Sequence, residues 1–508
     1  MKLSFYRLKK NEAETRQIIR EASRFDAADF LPSDKGFWAR ADALSINGAL
    51  NKTIRERMRR RARFLIVNNA YASGAASAVV QAVAGTLPRL QLNADGADRE
   101  TLTRIENDFV EWAEEVNLAD KLRSMRYARF VDGETFAILH TNPNLDLPSG
   151  VQLDVRPIDC DRVVGECNKN IDPLDADGIR LDKFGDPVSY RVLDYNPGDA
   201  YKTKPLASAT VYPATNVCHW FKQLYPEQKR GFSELASTLS LFLLVDRYSK
   251  AVVQAAETAA SLAMVFTTDT PSDSANDDDA FTGNTEENSA APAGRSNGVV
   301  PDDKPFVEFP WMRGMTVTLP EGWDAKQISA EQPSNSYGML VDEILAQIGA
   351  AINVPKLLMK NSAEKYNYSS ARVDLQNFQN AVRLDRDSLR RHVLNPIWRA
   401  WFLEYRALNR LDVHPTATWY FDGFFHVDPL KEANAQIARV DSALSSLAAE
   451  YGARGLDWER ELQQIAREKF FIKELEEKFG IVLSNKDGGG ATDGAVSDDD
   501  GVNGGRAE

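Results

Sequence analysis

Between Arg55 and Arg63, six arginines stand against a single acid, Glu56, in the run RERMRRRARFLIVNN. A guanidinium keeps its charge at any ordinary pH and donates paired hydrogen bonds, so such a run is equipped to recognise carboxylates or phosphates. Arg55, Arg59 and Arg63 recur every four residues and share one helical face. That face suits the carboxylates of a neighbouring subunit as well as the phosphates of a nucleic acid. No aromatic residue interleaves with these arginines and the whole domain is not basic, which weighs against a surface that tracks phosphates. A solvated or subunit-facing surface is the favoured reading, ahead of direct phosphate contact.

Other chemistry finds little support. The chain has no GxGxxG dinucleotide loop, GxxxxGK[ST] phosphate loop, GxSxG elbow or HExxH helix, and it is not expected to be an enzyme or to hold a cofactor. In PLDADG, Asp175, Asp177 and Gly178 fit the third, fifth and sixth positions of a calcium loop. The first and twelfth fall on Pro173 and Phe184, however, where carboxylates are required, so a polar turn is expected. His140, His219, His392, His414 and His426 are scattered. Cys218 and His219 are adjacent, so on a strand they point to opposite faces and close no zinc site by themselves. No metal is expected.

The elements that position the arginines follow from periodicity. A helix from Asn51 to Asn69 carries Ile54, Met58, Ala62 and Leu65 as an apolar stripe, and a second, alanine-rich helix from Ala72 to Ala84 stops at Gly85. A further helical run covers Asp98 to Asn117. Beyond it, TFAILHT, VQLDVRPI, VSYRVLDY and NVCHWF alternate between turn residues and predict a small, mostly antiparallel sheet unit. A long helix over Ser233 to Phe266 follows. Its charges at Asp246, Arg247, Lys250 and Glu257 argue against a membrane span.

The stretch Pro271 to Gly298 is acidic and has almost no large apolar side chain, so it reads as a flexible insertion whose partial deletion leaves the fold intact. PFVEF and MTVTLP are strand-like. Helical runs over Ser336 to Ile352, Ser370 to Leu408 and Pro429 to Lys478 complete the ordered part. The expected regions are 1–129, N-terminal and helical; 130–232, strand-rich; 233–270, a long helix; 271–300, the insertion; 301–410, strand, turn and helices; 411–480, C-terminal and helical; and 481–508, a disordered acidic tail. The fold class is α+β.

Composition sets the outer bounds. The 508 residues include 74 acidic and 61 basic side chains, a formal charge of −13, with 43% hydrophobic and 27% charged residues. That is an ordinary folded chain of two or three packed units, too acidic to coat nucleic acid with its whole surface. The three cysteines, Cys160, Cys167 and Cys218, form neither a disulfide scaffold nor a CxxC pair, which points to a reducing compartment. Neither a signal peptide nor a transmembrane segment is expected.

Six stretches carry a further pattern. The arginine run passes into LIVNNAYASGAASAVVQAVAG, with Asn69, Tyr71, Gly74 and Gly85. GIRLDKFGDPVSYRV carries Asp182, Gly185, Pro187 and Tyr190, and NVCHWFKQLYPEQKRGFSELA carries His219, Arg230 and Gly231. INVPKLLMKNSAEKYNYSSARVDLQNF carries Val354, Pro355, Leu358, Asn367, Tyr368, Ser369, Ser370 and Arg372. PIWRAWFLEY and HVDPLKEANA follow, the second with Asp428 and Pro429.

In order and spacing these resemble the lambda-like portal proteins of tailed bacteriophages. The chain departs from the pattern at Ala70, where proline is common, at Phe232 and Ser233, where Val-Pro is common, and at Asn353, where glycine is usual. The resemblance implies a portal fold with wing, stem, clip and crown regions, assembled as a homo-oligomeric, dodecameric ring at the unique portal vertex of the phage head. It implies a channel for double-stranded DNA, packaging by the terminase, contacts with capsid or scaffold proteins and with head-completion or tail-connector proteins, later DNA retention and ejection, and assembly in the host cytoplasm. Lys360 and Lys365, in the loop Met359 to Tyr366, are candidates for the channel wall; a surface or subunit-contact loop is the alternative. A reading from another class is an oligomeric scaffold or adaptor that binds protein partners through its helices. A nuclease is a third, with no motif to support it.

Overall fold

The computed structural model describes residues 41, 43–94, 96, 98–165, 174–199, 208–261, 265–268, 323–326, 336–364, 366–424 and 429–480. The stretch Pro271 to Gly298, the PFVEF and MTVTLP segments and the tail after residue 480 lie outside these residues. The chain divides into two units, one formed by Met1–Ala236 with Leu357–Glu508 and the other by Ser237–Lys356.

The first unit begins with a short helix α1 (Ile46–Ala49) and then α2 (Lys52–Asn68) and α3 (Ala70–Val83). Asn51 starts α2 by accepting a hydrogen bond from the Ile54 amide at 3.1 Å. Asn69 both ends α2 and starts α3: its amide donates to Leu65 O at 2.9 Å while its side chain accepts from the Ala72 amide at 3.1 Å. The alanine-rich α3 buries Ala72, Ala75, Ala76, Val79, Val80 and Val83, small side chains that let neighbouring helices approach. It stops where Gly85 takes a left-handed φ of 53°.

The buried face of α2 differs from the expected one. Arg55, Arg59, Ala62 and Ile66 point inward, whereas Ile54 is 36% exposed and Met58 and Leu65 are only half-buried. The helix is turned by about one residue, which brings its inward arginines onto carboxylates of the body.

Helix α4 (Arg99–Glu115), capped by Asp98, leads into α5 (Leu118–Asp132), which had no separate sequence signal. Six strands then form two three-stranded antiparallel sheets, ordered β3-β2-β7 and β4-β5-β6. The strands are β2 (Glu134–Thr141), β3 (Leu153–Ile158), β4 (Ile179–Leu181), β5 (Pro187–Leu193), β6 (Ala209–Pro213) and β7 (Val217–Phe221). Strand β2 is central and buried over its first six residues. Phe136, Ile138, Ile158, Val163, Ile179, Tyr190 and Val192 form one apolar cluster shared by the two sheets.

Strand β1 (Arg89–Asn93) pairs antiparallel with β10 (Thr416–Tyr420), from Arg89 opposite Tyr420 to Asn93 opposite Thr416. An aromatic cluster lies nearby: Phe109 of α4 meets Trp112, Trp398, Trp401 and Trp419 with ring centroids 5.1–5.7 Å apart. Two of its polar edges are satisfied, since Trp112 Nε1 donates to Leu153 O at 2.7 Å and Tyr405 Oη donates to Asp108 at 2.6 Å, whereas the buried Trp401 Nε1 has no hydrogen-bond partner among the described residues.

In the second unit, α6 (Leu239–Ser261) packs on α7 (Ser336–Ile352), with Tyr248 stacked on Tyr337 at 5.5 Å; β8 (Val265–Thr268) pairs with β9 (Trp323–Lys326). The chain continues through α8 (Lys356–Lys360) to α9 (Tyr368–Leu389). The expected continuous helix from Ser370 to Leu408 is interrupted by a π-helical turn over Arg390–Leu394 before α10 (Asn395–Asn409). Pro396 explains the interruption, because it lacks an amide proton and its ring crowds the carbonyl four residues earlier.

Helices α11 (Pro429–Asp441), α12 (Leu447–Ala453) and α13 (Trp458–Phe479) close the described chain. No helix among the described residues is long and apolar enough to cross a membrane.

Candidate functional site

The inward arginines of α2 enter a cradle of carboxylates supplied by their own chain. Arg55 pairs with Asp177, and Arg59 reaches Asp161 at 2.7 Å and Glu134 at 3.6 Å. Arg63 Nε and Nη2 donate to the two oxygens of Asp132 at 2.6 and 2.8 Å; it also reaches Asp159 at 3.0 Å and Asp161 at 2.8 Å. Arg55 and Arg59 are 2% and 4% exposed, so neither can reach a neighbouring subunit or a DNA backbone. The expected interface face is instead an internal joint between α2 and the strand-rich region.

Glu134, the first residue of β2, is the centre of this joint. Arg230 grips it with Nε at 2.9 Å and Nη2 at 2.8 Å, the Gly231 amide donates at 3.0 Å, and His219 Nε2 lies at 3.4 Å. Burial pushes the Glu134 carboxyl up, but the Arg230 charge, the His219 and Arg230 hydrogen bonds and the Arg55 charge outweigh it. The group is held well below the usual carboxylate range. Asp132 shifts the other way, because burial prevails over its bonds to Arg63. Burial likewise lowers His219, stacked on Phe136 at 4.2 Å and on Phe221 at 4.7 Å, against the pull of Glu134.

Backbone geometry allows this approach only with two glycines. Gly133 ends α5 at φ 95°, and a Cβ there would lie 2.0 Å from Phe232 C; one on Gly231 would lie 2.2 Å from Gly133 O. The chain therefore passes itself at van der Waals distance just where Arg230 must meet Glu134.

Asp132, Asp159 and Cys160 converge closely enough to suggest a metal site, but the Arg63 guanidinium already lies among them, with Nη2 3.9 Å from Cys160 Sγ. In PLDADG, Asp175 accepts from the Gly178 amide at 2.8 Å, while Asp177 pairs with Arg55 and accepts from the Gly165 amide at 3.1 Å. These are the bonds of a polar turn tied to an arginine.

A second joint escaped sequence reading. Arg126 and Arg129 of α5 are buried, and both meet Asp385 of α9, at 2.8 and 2.9 Å; Arg126 also forks onto Glu234 at 3.0 and 3.2 Å. Arg129 lies 4.5 Å over the Trp220 ring. The i, i+3 arginine pair beside Met125 and Phe130 was the available signal, though its acidic partner is more than 250 positions away in sequence.

The remaining motif residues take ordinary structural places. Tyr71 lies in the first turn of α3, and a Cβ at Gly74 would come within 3.0 Å of Met359 O. Gly185 turns at φ 88° ahead of Pro187, the first residue of β5, and Lys229 Nζ donates to its carbonyl at 2.8 Å. Asn353 adopts φ 55° where the family has glycine; asparagine tolerates that conformation better than most residues. Pro355 precedes α8.

Asn367 caps α9 by accepting from the Ser370 amide at 2.8 Å; Tyr368 and Ser369 open that helix, and Arg372 is exposed on it. Lys360 ends α8 and is exposed, whereas Lys365 and Asp428 lie outside the described residues; Pro429 begins α11.

The chain was compared with known families, curated proteins and solved structures. Residues 38–386 match the family model described as phage portal protein, lambda family. The probable portal protein of Halomonas phage phiHAP-1 is 23% identical over 451 residues, covering 83% of this chain and 81% of that protein. Among solved structures, a chain from the virion of a native gene transfer agent particle aligns at 14% identity and a TM-score of 0.39, over 79% of this chain and 93% of that one. An HK97 family phage portal protein from Corynebacterium diphtheriae aligns at 13% identity and a TM-score of 0.28, over 63% and 85%. With most of its length matched by that family model, the chain belongs to the lambda family of phage portal proteins.

Proposed function

We propose that this portal protein forms a dodecameric ring at one capsid vertex, through which the terminase drives double-stranded DNA and from which the genome is later released. The family match over residues 38–386 carries this reading. The work is mechanical, and ATP hydrolysis belongs to the terminase. Capsid or scaffold proteins would meet the ring during assembly in the host cytoplasm, and head-completion or tail-connector proteins would join it afterwards.

An acidic chain suits such a passage. With a formal charge of −13 on every copy, acidic groups along a channel would repel phosphates and limit sticking during transit. The segment after α8, with Lys360 and Lys365, is proposed to approach the channel, and the regional division at 129, 232, 270, 300, 410 and 480 is retained as a proposal. Arg55, Arg59 and Arg63 are assigned to holding α2 on the body, so they support assembly without reaching across to a neighbour.

Negative-stain images of the purified chain test the reading. Rings with a central hole are expected. A population of monomers or irregular clusters at every concentration and salt condition would favour the adaptor alternative.

A further inference from the structure

The six arginines of α2 divide by direction. Arg55, Arg59 and Arg63 turn inward, while Arg57, Arg60 and Arg61 are exposed. Arg60 reaches back to Glu56 of its own helix at 3.6 Å, whereas Arg57 and Arg61 have no ion-pair partner among the described residues. One turn further on, Phe64 is 71% and Val67 84% exposed. A phosphate backbone accounts for the arginines but gives these apolar groups nothing to bury against. A protein surface with acids and an aromatic accounts for both.

Helix α13 presents such a surface. It runs for 22 residues without a buried side chain, although helices of this kind take most of their stability from packing. Phe470 is 72% exposed, and Glu474 and Glu477 are exposed on the same face, flanked by Lys473 and Lys478. Arg57, Arg61 and Phe64 are spaced by four and three residues, and Phe470, Glu474 and Glu477 by four and three. Laid antiparallel with Arg57 opposite Glu477 and Phe64 opposite Phe470, Arg61 falls opposite Lys473, one residue or about 1.5 Å along the axis from Glu474. Because both faces are exposed in the protomer, they do not meet within one chain.

We propose that the outer face of α2 docks antiparallel on α13 of a second copy of this chain. The two surfaces differ, so in a docked pair one protomer keeps its α13 free and the other its α2, each open to a further copy. Contacts of this heterologous kind propagate, and close as a ring where the rotation between neighbours closes. The proposal rests on the ring reading above and gives that ring one of its subunit contacts.

A charge exchange tests it, read by sedimentation velocity over a range of protein concentrations, with circular dichroism melting to verify the fold. Arg57→Glu with Arg61→Glu, and separately Glu474→Arg with Glu477→Arg, are each expected to raise the midpoint concentration for assembly about tenfold or more. All four substitutions together should recover most of that loss. Where a reversed variant does not melt cooperatively, Arg57→Gln with Arg61→Gln is read in its place, with a smaller shift of the same sign.

Two-site variants that assemble like the unsubstituted chain overturn the docking while leaving the ring reading intact, as does a fourfold variant no better than its worse parent. Unchanged assembly with weakened DNA binding in Arg57→Glu, Arg61→Glu would assign the face to phosphate instead. An unsubstituted chain that never assembles overturns docking and ring together.

Discussion

Glu134 shows what the arginine run is for. Its carboxylate is fully buried, and Arg230 and Arg59 together with the Gly231 amide surround it. A buried ion pair contributes little net stability over an apolar replacement, but removing one partner strands the other charges, at a cost of about 3–5 kcal/mol. Glu134→Gln is expected to destabilise the protein by that amount in denaturant unfolding. The pH dependence follows from the direction of the shift. Glu134 titrates lower in the folded state than its ordinary 4.5, so its contribution is complete above that value and disappears as pH falls through the lower, folded one. Melting temperature should therefore fall with acidification below about pH 4.5, and that component should be absent in Glu134→Gln. A joint insensitive to acid in the wild type would contradict this.

At the scale of elements, much was legible because local signals agreed. Asn69 and Gly85 announced helix ends at positions where the structure uses them, and the alternating segments became β2, β3, β5 and β7. The inward face of α2 was not legible. Periodicity favours the aliphatic side, and only the carboxylates of Asp132, Asp159, Asp161 and Asp177, distant in sequence, reverse that preference. The conjunction of Arg230 and Gly231 could be read as a motif but not as a mechanism until the crossing with Gly133 was visible. That crossing gives a sharp prediction. Gly231→Ala would bring a methyl within 2.2 Å of Gly133 O and should cost about 3 kcal/mol or more, or prevent soluble expression, whereas Gly480→Ala, which meets nothing within 4 Å, should be milder despite its positive φ. Thermal melts of the two variants make the comparison.

Across the whole molecule, ties between distant parts of the chain dominate the first unit. Asp385 holds two buried arginines from α5, so Asp385→Asn should lower stability by about 3 kcal/mol in denaturant unfolding, well beyond a typical surface change. Such ties are invisible in sequence because neither partner carries a local mark of the other. The β1–β10 pair is the extreme case: a five-residue strand beside the N-terminal helices waits for a partner that begins at Thr416.

That wait has a consequence during synthesis. A nascent chain holds Leu90 and Leu92, both buried in the finished protein, on an unpaired strand edge until the ribosome has passed Tyr420 and released it from the exit tunnel. Translation products that stop earlier keep a sticky edge suited to chaperones and proteases. The strand pair therefore ties burial of the N-terminal edge to a polypeptide that extends at least through Tyr420.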